Sequence, residues 1–320
     1  MQYSLSNQLE AIVTHSVSQL AYRWLPLPHS RPTPLALAMA SASDVRVDPT
    51  QLSLKNWHEY IAGQRSAPLA SAWVRVCETL QLSAIGLATV IFNNLTQLSV
   101  RGGVLIDYFH DDYPYLLTHI PDPPACLTCI GDTSLLAAPK LAIVGSRKAS
   151  DFAFKEARNL ALGTVQKGAV VVSGGAVGCD AAAHLGALDS GLRPAPTIVV
   201  FAGGLHKFYP QCLESLFGRL RTERALFVSE RLWEYPARPM DFPIRNRIIA
   251  GLSSAIVVMQ AAEKSGALKT ASYALEQGRE VYALVHEADD IRANGSRQLI
   301  EDGAQAFDSA RDFLTLLPTV

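Results

Sequence analysis

From residue 141 onward the chain alternates short apolar runs with segments of helical spacing. Runs rich in Val, Ile and Leu begin at Leu141, Ala169, Thr197, Ala225, Ala255 and Val281, at intervals of 28, 28, 28, 30 and 26 residues. They are apolar throughout rather than alternating, the pattern of strands buried on both faces. Between them, positions such as Phe154, Ala157, Ala161 and Val165 recur with helical period, and several of these segments end at a glycine: Gly168, Gly191, Gly278. Strand–helix alternation at this pitch implies βαβ crossovers and a parallel sheet covered by helices on both faces. The predicted fold is α/β, a doubly wound Rossmann-like parallel sheet with a smaller N-terminal helical domain.

The first hundred residues read differently. Leu9, Ile12 and Val13 fit one helix face and Val74, Cys77 and Leu80 another. Between them Pro26, Pro28, Pro32 and Pro34 exclude a continuous helix. The expected organisation is a helical domain over 1–100, a connector over 101–140 containing Tyr113-Pro114 and Pro121-Asp122-Pro123-Pro124, and a Rossmann-like domain over 141–320.

Composition narrows the function. The 320 residues are 49% hydrophobic and 18% charged, enough for a sizeable core. Against 28 Lys and Arg stand 29 Asp and Glu, a net charge of −1. A broadly basic nucleic-acid coat is therefore excluded, and any polyanion site is a local patch. The first ten residues lack the basic and apolar regions of a signal peptide. The longest apolar stretch, 248–259, is too short for a bilayer and contains Ser253 and Ser254. Five cysteines form no disulfide framework. These features predict a cytoplasmic protein with no membrane contact.

In an open α/β sheet, ligands bind beyond the carboxyl ends of the strands. The segments that follow the apolar runs are Gly145-Ser146-Arg147-Lys148, then Ser173-Gly174-Gly175-Ala176-Val177-Gly178-Cys179-Asp180, then Gly203-Gly204-Leu205-His206-Lys207, and after the fifth run Glu263-Lys264-Ser265-Gly266-Ala267-Leu268-Lys269-Thr270. Glycines, small hydroxyls and cations thus gather at one edge. Helix N-termini and exposed backbone amides there favour an anion, and arginine binds phosphate bidentately. A single glycine-rich turn is most often only a turn; four at one edge point to an anion site. In 241–251, Arg245 and Arg247 flank Asn246. The arginines could contact phosphates and Asn246 could brace a loop; the plainer reading is a solvated helix start.

Other chemistries find little support. Gly174-Gly175-x-x-Gly178 is not the dinucleotide fingerprint, no acidic residue ends the next run, and no Walker motif occurs, so no cofactor is expected. Cys126-x-x-Cys129 lacks a second ligand pair, so no metal is expected. Asp180, His206 and Glu263 are the titratable candidates at the edge, and they form no coherent acid–base set, which predicts a protein that is not an enzyme.

Several blocks together resemble the DprA/Smf family of DNA-processing proteins. They are Ala142-Ile143-Val144-Gly145-Ser146-Arg147, the glycine turn with Asp180, Ala183 and His184, Tyr209-Pro210, Phe242-Pro243-x-Arg245-Asn246-Arg247, and Ser265-Gly266-x-Leu268-x-Thr270. The resemblance runs from about residue 101 to 310. It implies single-stranded DNA binding without strong sequence preference, loading of a RecA-type recombinase in natural transformation, and a homodimer. It also implies a phosphate site made by Gly145, Ser146, Arg147, Lys148, Gly174, Gly175, Gly178, Lys207, Arg245, Asn246, Arg247, Ser265 and Gly266, with Arg147 foremost. Bases would stack on Phe208 or Tyr209. The chain departs from the family pattern at His206, Leu213, His286-Glu287 and 292–297. The competing resemblance is to LOG-type nucleotide phosphoribohydrolases, whose Pro-Gly-Gly-x-Gly-Thr loop the segment 264–270 does not reproduce.

Overall fold

The structure, a computed structural model, describes residues 93, 94, 96–107, 110–124 and 126–316. The expected helical domain over 1–100 lies outside the described residues except for 93, 94 and 96–100, which are helical. The described residues fall into two compact units. The first runs up to His110 and includes Pro121–Thr128; the second comprises Asp111–Ile120 and the chain from Cys129 onward. In the first unit, strand β1 (Val104–Asp107) follows the helical segment, and β2 (Cys126–Ile130) begins there.

The second unit holds the apolar runs. They form β3 (Lys140–Val144), β4 (Val170–Ser173), β5 (Thr197–Phe201), β6 (Leu226–Ser229), β7 (Ala255–Val258) and β8 (Glu280–Leu284). A three-residue strand that the pattern does not predict, β9 (Gln305–Phe307), completes the parallel order β6-β5-β4-β3-β7-β8-β9. Every residue of β3 is buried, as expected for a strand covered on both faces.

The helices of this unit are α1 (Tyr115–Thr118), α2 (Asp151–Gln166), α3 (Cys179–Asp189), α4 (Glu214–Thr222), α5 (Asp241–Leu252), α6 (Gly266–Glu276), α7 (Asn294–Glu301) and α8 (Ala310–Leu316). Helix α2 starts where Ser150 accepts a hydrogen bond from the Ala153 amide at 3.1 Å. The three glycines expected to end helices, Gly168, Gly191 and Gly278, take φ of 85°, 68° and 67°, a left-handed conformation that glycine adopts without steric penalty.

Alternate strand residues feed two cores. Leu141, Ile143, Val171, Val257 and Met259 pack with α2, α3 and α8. Helices α5 and α6 pack together on a layer that meets β3, β4, β5, β7 and β8. The sheet is therefore doubly wound. Strand β3 lies between β4, its successor, and β7, which returns much later in the chain. That pair marks the topological switch point, where a crevice opens beyond the carboxyl ends of the strands.

Candidate nucleic-acid interface

The turn after β3 is built by backbone packing. A Cβ on Gly145 would lie 2.6 Å from Cys179 Sγ, and one on Gly178, at φ 80°, would run into the Ser146 carbonyl. The Cys179 amide donates to that carbonyl at 3.1 Å. These two glycines let the turns after β3 and β4 touch, a task distinct from admitting a ligand to the backbone. Ser146 Oγ accepts from the Lys148 amide at 3.0 Å and closes a local turn. Arg147 and Lys148 are thereby left exposed. Among the described residues Arg147 makes no hydrogen bond or ion pair. Its guanidinium lies 5.4 Å from the centroid of the Phe242 ring.

Helix α5 is not the solvated helix start that the plainer reading expects. Asp241, Arg245, Asn246 and Arg247 are all buried. Asp241 accepts from Arg231 at 2.7 Å and from the Arg238 amide at 2.9 Å. Arg247 pairs with Glu230 at 2.6 Å and lies outside the cleft lining, so it holds the fold and supplies no pocket cation. Asn246 accepts from Arg245 Nε at 3.1 Å and donates to the Gly266 carbonyl at 3.2 Å, bracing the loop before α6. Arg245 also donates to the Val200 carbonyl. A Cβ on Gly174 would sit 2.7 Å from its guanidinium carbon, so this glycine makes room for an arginine. Gly175 is buried, at φ 27°, behind Val199 and Phe201.

Asp180 and Arg245 share this interior. Burial pushes the Asp180 carboxyl up to about 6, against the opposing pull of the Arg245 charge and the Ala176 amide. Burial likewise lowers Arg245 to about 10, so it remains a cation at neutral pH. His184 is fully buried on the neighbouring turn of α3, with Nδ1 2.8 Å from Thr197 Oγ1. Desolvation drives its pKa down to about 3, consistent with a packing role.

The two candidate stacking rings separate. Half-buried Phe208 lies nearly parallel to Phe201 and Phe227, with centroids at 4.9 Å from each and planes within 17° and 10°; those two rings are 5.9 Å from each other, so Phe208 is not sandwiched between them. With Phe217 edge-on at 5.5 Å it belongs to an aromatic cluster, and it does not line the cleft around Arg147 and Arg245. Tyr209 is 54% exposed and meets Phe242 edge-on at 5.8 Å. Phe242, one helical turn before Arg245, is the ring that sequence reasoning did not assign to stacking.

These groups surround one cleft with two lobes, both lined by Arg147, Ala176, Tyr209, Phe242 and Arg245. The larger, about 790 Å³, lies between the turns after β3 and β7 and includes Lys148, Ser265 and Gly266. The smaller, about 170 Å³, extends past Gly175 to Lys207. A side chain on Gly266 would meet nothing within 4 Å, and Ser265 Oγ is buried without a hydrogen-bond partner among the described residues. Two further cations line the large lobe. Lys269 follows Gly266 by three residues on α6 and is exposed; Arg292 is tied to Asp290 at 2.8 Å. Helical spacing from Gly266 would have found Lys269; nothing in the sequence marks Arg292. The carboxylate lining the cleft is Asp180, held against Arg245. Exposed Arg147, Lys148, Lys207 and Lys269 therefore dominate its potential.

The remaining titratable candidates lie apart from this. The His206 ring packs edge-on against Trp233 at 5.6 Å, and Glu263 accepts from Asn294 at 3.3 Å. Cys126 and Cys129 are buried in β2. Among the described residues no three His, Cys, Asp or Glu side chains group as metal ligands, and no helix is long and apolar enough to cross a membrane.

Comparison with known proteins converges on one family. The sequence model described as "DNA recombination-mediator protein A" matches residues 104–318. DNA processing protein DprA of Bacillus subtilis is 41% identical over 207 residues, 64% of this chain and 68% of its own. Its Streptococcus pneumoniae counterpart is 37% identical over 204 residues, 64% and 71% of the two chains. A crystal structure of DNA processing protein A from Streptococcus pneumoniae aligns with a TM-score of 0.70 at 27% identity, over 99% of each chain. The Helicobacter pylori protein, in a structure describing its single-stranded DNA binding mode, aligns at 0.60 and 28% identity, over 67% of this chain and 94% of that one.

Proposed function

Since the chain belongs to the DNA recombination-mediator protein A family, we propose that it binds single-stranded DNA in the switch-point cleft and passes it to a RecA-type recombinase. The observation that carries the reading is a cleft whose exposed cations, Arg147, Lys148, Lys207 and Lys269, stand beside the aromatic faces of Tyr209 and Phe242. Cations that make no internal ion pair suit phosphates, and sequence-tolerant stacking suits unpaired bases. A duplex hides its base faces and gains nothing from the rings.

In this reading Arg147 is the leading phosphate ligand. The base contacted by Tyr209 takes the neighbouring face of Phe242, and Gly266 admits a phosphate to the start of α6. Arg245 contributes a buried positive field from beneath. The recombinase step rests on the family's description as a recombination mediator. A two-fold dimer of the Rossmann-like part would hold two DNA segments and raise apparent affinity. The proposed organisation is a helical domain over 1–100, a connector over 101–140 and the DNA-binding part over 141–320.

We read the site as binding without turnover. One observation favours a nucleotide hydrolase instead: Asp180, raised to about 6, borders the cleft as a general base would. Its neighbours answer this. The carboxyl faces Arg245 and the Ala176 amide, and no second acid accompanies it among the residues lining the cleft.

The test is fluorescence anisotropy with a labelled oligonucleotide, single-stranded and then annealed, beside product analysis with nucleoside monophosphates. Tight binding of the single strand and no product support the proposal. Equal affinity for the duplex would refute it, as would turnover that disappears in Asp180→Asn.

A further inference from the structure

At the amino end of the same sheet, opposite the cleft, a second cavity of about 650 Å³ is lined by Tyr113, Tyr115, Thr133, Ser134, Lys140 and Ser254, among others. Lys140 is the first residue of β3 and only 6% exposed. Its Nζ donates to the Leu136 and Ala138 carbonyls, each at 2.6 Å. Among the described residues no carboxylate pairs with it. A lysine this buried without a counter-ion is unusual, because desolvation penalises the ammonium and two carbonyl bonds repay only part of that cost.

The two carbonyls accept two of the ammonium's three N–H groups. Loss of the third proton leaves a neutral amine with both bonds intact and its lone pair in the remaining tetrahedral direction. We propose that Lys140 is an acylation site, whose amine attacks activated acyl groups, thioesters or acyl phosphates, entering this cavity. The proposal stands apart from the DNA-binding reading.

The step balances without further reagents. The Nζ lone pair attacks the acyl carbonyl, the N–C bond forms, and the bond to phosphate oxygen or thiol sulfur breaks. The proton released from nitrogen goes to the leaving phosphate or thiolate. The amide product keeps one N–H, so one of the two bonds to the 136–138 turn is broken. The Lys140 carbonyl, which accepts from the Ser254 amide at 3.0 Å and from Ser254 Oγ at 2.9 Å, is untouched.

Electrostatics supports the chemistry. Burial lowers the amine to about 8. The other titratable side chains lining the cavity are Asp111, Asp112, Tyr113 and Tyr115. At neutral pH such an amine is deprotonated roughly a hundredfold more often than an ordinary lysine. Its lower basicity offsets part of that gain, leaving an expected advantage of about tenfold in rate.

The full-length protein is incubated near pH 7.5 with acetyl phosphate in one arm and acetyl-coenzyme A in the other. Timed samples are digested and each lysine's acetylation is followed by mass spectrometry, with exposed Lys155 and Lys264 as references. Acetylation of Lys140 about tenfold faster than either reference in at least one arm, lost when the protein is unfolded in urea, is the expected result. The reactive arm then identifies the donor class. A Lys140 no faster than the references in both arms overturns the proposal. So does an advantage that persists in urea, because the cavity is then not its source.

Discussion

The turn after β3 and helix α5 both bring arginine to the same end of the sheet, and burial gives them opposite tasks. Arg147 stands on a tight turn, exposed and held only by the face of Phe242. Arg247, two residues beyond the cleft-lining Arg245, is locked to Glu230 with 5% and 3% of the two side chains exposed. Arg245 lies between these extremes, buried yet bordering the cleft. A desolvated guanidinium paired with a buried carboxylate and absent from the cleft lining is out of a phosphate's reach, whereas an exposed one without partners keeps its five donors. Residue type suggests a ligand; burial and access to the cleft decide.

The largest effects should come from the buried side of this contrast. Arg247→Ala removes a charge-assisted bond to buried Glu230 and should cost about 3–5 kcal/mol of stability. Urea unfolding measures it, while DNA affinity per folded molecule stays unchanged. A stability loss under 1 kcal/mol would make the ion pair dispensable. Phe208→Ala should act the same way, at about 2 kcal/mol, because it removes the contacts of a half-buried ring with Phe201, Phe217 and Phe227.

The exposed side should show the reverse. Arg147→Ala should weaken single-strand binding by about 1.5–3 kcal/mol in anisotropy titrations, with an unchanged unfolding midpoint. Tyr209→Ala should lose about 1–2 kcal/mol of binding, again with stability intact. If Tyr209→Ala unfolds the protein while Phe208→Ala weakens only DNA binding, the assignment of the two rings is inverted.

The smallest effect concerns pH. Asp180 titrates higher in the folded protein, at about 6, than a free aspartate near 4. The folded state therefore binds the extra proton between these values, and Asp180's contribution to stability is complete below about 4 and lost as pH rises through 6. His184, lowered to about 3, works the other way: its contribution is present above about 6.5 and declines as pH falls toward 3. The wild-type profile is the sum of the two. Urea midpoints across pH 4–7 should therefore rise with pH more steeply in Asp180→Asn than in the wild type. Parallel profiles would mean that Asp180 is not buried against Arg245 as described.

The strands of the sheet were legible because they are apolar on both faces, a pattern that few other elements share. Strand β9 was not, since two of its three residues are exposed and it carries no run to detect. In the site, the glycine turns and Arg147 follow from the rule that ligands gather beyond the carboxyl ends of parallel strands. The interior partners of Phe208 and Arg247 were not legible, for one physical reason. Their partners, Phe227 and Glu230, lie 19 and 17 residues away on another strand and its following loop, and no local period reports a contact of that kind. Lys269 was legible from its helical offset to Gly266, and Phe242 from its offset to Arg245.

The central claim is that DNA phosphates replace water around the exposed cations of the cleft, with Arg147 foremost. Single-strand affinity measured across a series of salt concentrations tests it most directly, for the wild type and for Arg147→Ala. The account predicts that the logarithm of affinity falls linearly with the logarithm of salt in both. The slope should be shallower by about 0.7 in the variant, which neutralises one phosphate fewer. Identical slopes in the two proteins, or an affinity indifferent to salt, would contradict it.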